Sequence, residues 1–186
     1  MKRIIVGISG ASGFPLAVCL LRELKKLPDV ETHLVFTRGA ELTAKQELGL
    51  EPEQIRAMAD VCYDNRNVGA AIASGSFQTE GMIVVPCSMK TVSGIAHGYS
   101  DNLLLRAADV VIKEKRKLIL AARETPLSPI HLDNLAYLSR LQNVYIMPPM
   151  MTYYQGADTV ESMERHFTGK LLQCFGIDME GFKRWS

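Results

Sequence analysis

The sequence predicts an α/β protein: a doubly wound parallel sheet with helices on both sides, three layers in all. Two features of the pattern carry this. Short apolar, β-branched runs alternate with amphipathic stretches along the chain, as in a parallel sheet covered on both faces. The first run, Ile4-Ile5-Val6-Gly7-Ile8, breaks into Ser9-Gly10-Ala11-Ser12-Gly13 and a helical pattern begins at once. Length agrees with this: 186 residues, 47% of them apolar, suit one domain over 1–186 with a sizeable core.

Each element follows in turn. After the glycine-containing loop, Leu16, Leu20, Leu21, Leu24 and Leu27 share one helical face, while Arg22, Glu23, Lys25 and Lys26 cover the other, and Pro28-Asp29 ends the helix. Residues 32–37 form the second strand. A helix over 40–48, carrying Glu41 and Glu47, precedes a short one near 52–59. Residues 62–80 hold Asn65, Asn67, Gly69, Ser74, Gly75 and Ser76, and read mainly as a loop of the kind that forms lids or contact surfaces. Residues 81–86 are the third strand, and Ser88 opens the next helix. Asp101 or Asn102 caps a helix running to about Lys115. Residues 118–122 form the fourth strand, 131–141 a helix, 144–147 the fifth strand, and 158–175 a final helix stopped by Gly176. Right-handed crossovers make this a flavodoxin-like or Rossmann-like sandwich, although the pattern does not encode strand order.

Composition removes several functions. A formal net charge of +1 with 22% charged residues gives no basic stripe for nucleic acid. No apolar run is long enough to span a membrane, and Met1 leads directly into a strand without a signal peptide. Cys19, Cys62, Cys87 and Cys174 lack metal-ligand spacing and fit a reducing cytoplasm. No Asp-Asp pair of the magnesium-diphosphate kind is present, so no metal is expected. The four histidines read as structural, and Cys87 as a small packing residue.

In open α/β sheets ligands sit beyond the carboxyl ends of the strands. Those ends carry Gly10, Ala11 and Ser12; Thr37 and Arg38; Cys87, Ser88, Met89, Lys90 and Thr91; Arg123, Glu124 and Thr125; and Pro148, Pro149 and Tyr154. Hydroxyls and backbone amides with nearby cations suit one phosphate and one polar ring edge. Small residues in the first loop let amides approach an anion, with the positive end of the following helix aimed at the same spot. Gly7, Gly10 and Gly13 are spaced three apart, which is not the dinucleotide fingerprint, so an FMN-type site is favoured over a nicotinamide one. Arg106 and Lys113, two turns apart, share a helix face; the plain alternative is a solvated stripe in which Asp109 pairs with Lys113.

Several motifs in register resemble the flavin prenyltransferases, the UbiX-like or Pad-like flavoproteins. They are Gly7-Ile8-Ser9-Gly10-Ala11-Ser12-Gly13, Pro86-Cys87-Ser88-Met89-Lys90-Thr91, Arg106-Ala107-Ala108-Asp109-Val110, Lys113-Glu114 and Arg123-Glu124-Thr125-Pro126-Leu127-Ser128. Ile130-His131-Leu132 and Pro148-Pro149-Met150 continue the likeness as far as Arg184-Trp185. The resemblance implies a flavodoxin-like fold, FMN, a large homo-oligomer, and transfer of a dimethylallyl group from dimethylallyl monophosphate to reduced FMN. The product, prenylated FMN, would serve a UbiD-type decarboxylase. By position, the resemblance assigns flavin contacts to Gly10, Ala11, Ser12, Thr37, Ser88, Met89, Lys90, Thr91 and Arg123. It assigns the allylic phosphate to Arg106, Lys113, Arg123, Tyr154 and Lys170, and catalytic roles to Ser12, Glu47 and Glu124. Trp185 matches the family's C-terminal tryptophan. Lys170 stands where the family pattern has arginine, which turns a bidentate clamp into a point charge. Tyr153 beside Tyr154 leaves two tyrosines for one role. Two other flavoprotein readings stay open: a non-catalytic FMN-binding accessory subunit, and a peptidyl-cysteine decarboxylase using His97 or His131.

Overall fold

The computed structural model describes residues 1–154, 156, 158–182 and 184. Its strands are β1 (Lys2–Ile8), β2 (Val30–Phe36), β3 (Val61–Tyr63), β4 (Gly81–Cys87), β5 (Lys117–Ala122) and β6 (Val144–Ile146). The helices are α1 (Phe14–Lys25), α2 (Arg38–Leu48), α3 (Pro52–Arg56), α4 (Met89–Ala96), α5 (Leu103–Lys113), α6 (Pro129–Ser139) and α7 (Val160–Gln173), with a 3-10 turn at Ala71–Ala73. All pairings are parallel, in the order β3-β2-β1-β4-β5-β6. The five strands read from the sequence stand in the flavodoxin order, and β3 extends that sheet at one edge.

The two-residue period of the strands sorts the core into two layers. Ile4, Val6, Ile8, Leu34, Phe36, Ile83 and Val85 point to the side covered by α1, α2, α3 and α7. Ile5, Val35, Met82, Val84, Leu118 and Leu120 point to the side covered by the 3-10 turn, α4, α5 and α6. β4 is buried at every residue because β1 and β5 flank it and both layers cover it. Each of these large side chains contributes about 1.5–3 kcal/mol on leaving water, so the central strands dominate the stability. No described helix is long and apolar enough to cross a membrane.

Two expectations change. β3 lies inside the segment read as loop, because three residues at a sheet edge, paired only with His33, Leu34 and Val35, leave no alternation to detect. Glu23, read on the polar face of α1, is buried, since α7 packs over α1 and Arg165 pairs with its carboxylate while Lys26 holds it at 2.8 Å.

His33 on β2 is also buried. Its Nδ1 lies 2.8 Å from the Tyr63 hydroxyl, and its ring meets Phe77 edge-on, with the Arg3 guanidinium over the same phenyl. Burial pushes its pKa below the ordinary 6.5, outweighing the opposite pull of Glu31. The folded state therefore binds this proton less readily than the unfolded chain. Its contribution is complete above the unfolded pKa and is lost as pH falls through that value toward the lowered one. Denaturant titrations between about pH 7.5 and 5 should show stability falling on acidification, with His33 adding at most about 1.4 kcal/mol per pH unit. His33→Gln should flatten that slope; an unchanged slope would remove His33 from the acid response.

Candidate active site at the β1/β4 switch point

Crossovers leave β1 and β4 in opposite directions, which opens a crevice at their carboxyl ends. Ser9, buried at the end of β1, ties the two strands together. Its hydroxyl donates to Pro86 O at 2.9 Å and accepts from Ser88 N at 2.7 Å. Gly10 then passes so close to the first turn of α2 that a Cβ there would lie 2.8 Å from Gly39 Cα. Two glycines in contact let the β1 loop and α2 meet backbone to backbone, and the crevice forms beside them.

That crevice is a cleft of about 460 Å³. Three helix N-termini reach it. Thr37 caps α2 by accepting from Ala40 N, Ser88 caps α4 by accepting from Thr91 N, and Asn102 caps α5 by accepting from Leu105 N. Arg38 and Lys90 line the same cleft, and among the described residues neither has an ion pair. Leu104 and Leu105 supply apolar wall. These two cations and the open first turns of α2 and α4 around a half-apolar cleft fit the phosphate of FMN and a flat ring beside it.

The fourth helix end nearby is closed. Gly13, with φ of 109°, starts α1, and the Glu47 carboxylate accepts from Gly13 N at 3.1 Å and Phe14 N at 2.8 Å. The anion expected at this loop is thus supplied by the protein itself. The same bonds bring Glu47 next to the exposed Ser12. Arg123 and Glu124 leave the end of β5, one strand along from Ser88. Arg123 N donates to Cys87 O at 3.0 Å, Glu124 Oε1 accepts from Thr125 N, and both side chains are exposed. Ser12, Glu47, the Ser88–Thr91 turn and the Arg123-Glu124 pair therefore belong to the carboxyl ends of adjacent strands.

The cations assigned to the allylic phosphate are not gathered within one chain. Arg106 bonds Ala73 O at 3.3 Å and pairs with Asp109 at 2.8 Å. Asp109 thus serves Arg106 and not Lys113, whose ammonium is 2.5 Å from Glu114 at the opposite end of α5. Lys170 is exposed on α7, across the sheet from α5, with Nζ 3.5 Å from Gln173 Oε1. Tyr154 follows β6, 55% exposed and edge-on to His166; Tyr153 is more exposed, at 72%. Trp185 lies outside the described residues.

Other candidates take structural places. His131 completes the α6 cap with Ser128, and His97 is 2.9 Å from Ser93 O. Burial drives the Cys87 thiol far above its usual range, which suits packing and not nucleophilic attack. Among the described residues no three His, Cys, Asp or Glu side chains are grouped to hold a metal. Ser9 and Asn65 also line the cleft, at positions where the strand-end pattern carries no signal for them. Ser9 sat inside the glycine motif, and Asn65 follows the strand that the pattern hid.

The Flavoprotein family model matches residues 1–166. A flavin prenyltransferase of Lactiplantibacillus plantarum is 50% identical over 185 residues, 100% of this chain and 98% of its own. A crystal structure of AnUbiX (PadA1) in complex with FMN and dimethylallyl pyrophosphate superposes with a TM-score of 0.96 at 43% identity, covering 100% of this chain and 97% of the other. A dodecameric FMN-dependent UbiX-like decarboxylase from Escherichia coli O157:H7 superposes at 0.97 with 46% identity and full coverage of both chains.

The Glu47 cap makes a direct prediction. Glu47→Ala leaves two amides at the start of α1 without their acceptor and should cost about 1–2 kcal/mol in urea unfolding. Glu47→Gln, which keeps an acceptor oxygen, should recover most of that loss. Equal midpoints for the alanine variant and the parent would show that the carboxylate does not hold the helix end.

Proposed function

From the premise that the chain belongs to the Flavoprotein family, among its UbiX-like flavin prenyltransferases, we propose that it joins a dimethylallyl group to reduced FMN. The observation that carries this is the switch-point cleft, in which Arg38 and Lys90 have no ion pair among the described residues, in a chain half identical to a flavin prenyltransferase. Reduced FMN, when bound, supplies the nucleophilic ring positions that receive the allyl group. The α2 and α4 turns, with Arg38 and Lys90, would hold its phosphate, and Ala11, Ser12, Ser88 and Arg123 would contact its ring. Ser12 would orient the ring edge that receives the allyl group. An allylic phosphate leaves once its growing charge is matched, and fixed cations supply that without a metal. Glu124 gives a proton to the departing phosphate, and Glu47, held beside Ser12, takes the proton released on ring closure.

The cations for that phosphate lie on opposite faces of the sheet, so the proposal includes assembly of several copies, with Arg106 and Lys113 from one copy and Tyr154 and Lys170 from another meeting Arg123. The solved relative described as dodecameric supports this. So do the exposed apolar side chains at the starts of α6 and α7 and after β6, where Ile130 is 70%, Val160 72%, Met150 74% and Met151 64% exposed. The product, prenylated FMN, would pass to a UbiD-type decarboxylase.

Anaerobic mixing of the protein with reduced FMN and either dimethylallyl monophosphate or the pyrophosphate should yield prenylated FMN, and the two arms identify the donor. No adduct with either donor from a protein that binds FMN would favour the accessory-subunit reading. Glu124→Gln keeps shape and hydrogen-bond reach but not the transferable proton. In single turnover it should bind FMN as the parent does and form adduct at least about 100-fold more slowly. A rate within a few-fold of the parent would move the proton to Glu47 or to the phosphate itself.

A further inference from the structure

We propose that Asn65 recognises the phosphate of FMN through its side-chain amide and so sets the preference for FMN over riboflavin. This rests on the flavin reading above and adds a residue that the strand-end pattern did not contain.

Asn65 stands just beyond β3, half-buried, and fastens the first turn of α5 twice. Its backbone carbonyl accepts from Leu103 N at 2.8 Å and its Oδ1 accepts from Leu104 N at 2.9 Å. Only an oxygen can take the Leu104 N–H, so the carboxamide orientation is fixed. With Oδ1 turned to α5, the two N–H donors on Nδ2 face away from the helix, and among the described residues Nδ2 has no hydrogen-bond partner. The residue lines the cleft alongside Arg38 and Lys90. With Arg38 it also lines an adjoining hollow of about 420 Å³ bounded by Phe36, Arg56 and Tyr63.

Of the other capping residues, Thr37 offers only its hydroxyl, which accepts from Ala40 N, and two are committed further. Asn102 donates its Nδ2 to Asp101 at 2.8 Å, and the Ser88 and Thr91 hydroxyls are 3.2 Å apart. Asn65 therefore adds an uncommitted side-chain amide to the lining that Arg38, Lys90 and the N-terminal turns of α2 and α4 share. Its chemistry explains the residue type. Aspartate would cap α5 as well and would favour the helix dipole, but it would set a negative charge against the phosphate. Serine would cap without a donor of the same reach. Asparagine both caps and donates.

The test uses the full chain, titrated separately with FMN and riboflavin while flavin fluorescence is followed, with melting of the flavin-free protein as a fold control. Asn65→Asp retains the acceptor for Leu104 N, so it should melt at or above the parent temperature. Its FMN affinity should fall about tenfold or more, the scale of a hydrogen bond to a charged group, while riboflavin affinity stays within about twofold. Asn65→Ser replaces the Nδ2 donor with a hydroxyl of shorter reach without adding charge and should narrow the FMN-to-riboflavin ratio in the same direction, which carries the test if the aspartate variant fails to fold. A ratio unchanged in the folded variants, or both flavins weakened alike, would overturn the inference while leaving the flavin reading intact. A parent protein that binds neither flavin would overturn that reading and this inference together.

Discussion

The contact between Gly10 and Gly39 decides how near the β1 loop and α2 can lie, and the cleft inherits its shape from that spacing. A methyl group on either residue would meet backbone, which cannot rotate aside as a side chain can. Ser9 adds the second restraint by holding Pro86 O and Ser88 N, so that α4 starts at a fixed height above β1. Both restraints act on main chain. The amides of α2 and α4 are therefore positioned by the sheet itself, and a ligand anion meets donors that need little reorganisation.

Electrostatics around the cleft is settled by how each helix end is satisfied. α1 is closed by Glu47, a full negative charge on its first amides. α5 has its first three amides taken by Asn65 and Asn102. α2 and α4 each have a single hydroxyl cap, which leaves other amides of their first turns open. Positive potential therefore collects between α2 and α4, beside Arg38 and Lys90, and is cancelled at α1. The same strand-to-helix geometry yields opposite electrostatic results, and the difference lies in a carboxylate 34 residues away from the loop it caps.

The sequence made the central sheet legible because β1, β4 and β5 are buried on both faces and read as uninterrupted apolar runs. The caps at Asn102 and Ser88 and the stop at Gly176, with φ of 68°, were legible because they are local chemistry. β3 was not, since an edge strand of three half-buried residues carries no periodic signal. Asn65 was hidden with it. Glu47 drew attention through family likeness, but its bond to Gly13 depends on how α2 folds back over the β1 loop, which no local pattern encodes. Glu23 shows the same limit: its burial comes from α7, more than a hundred residues later in the chain.

The sheet also acts as a partition. α5, with Arg106 and Lys113, covers one face, and α7, with Lys170, covers the other, so no bending of surface side chains can bring these charges to one point in a single copy. Under the proposed assignment, flavin binding and turnover would follow different reaction orders in protein. A lone folded subunit would already own the cleft at β1 and β4 and would take up flavin in proportion to its concentration. Turnover would depend on encounters between subunits, so dilution would extinguish catalysis while the protein remained flavin-bound.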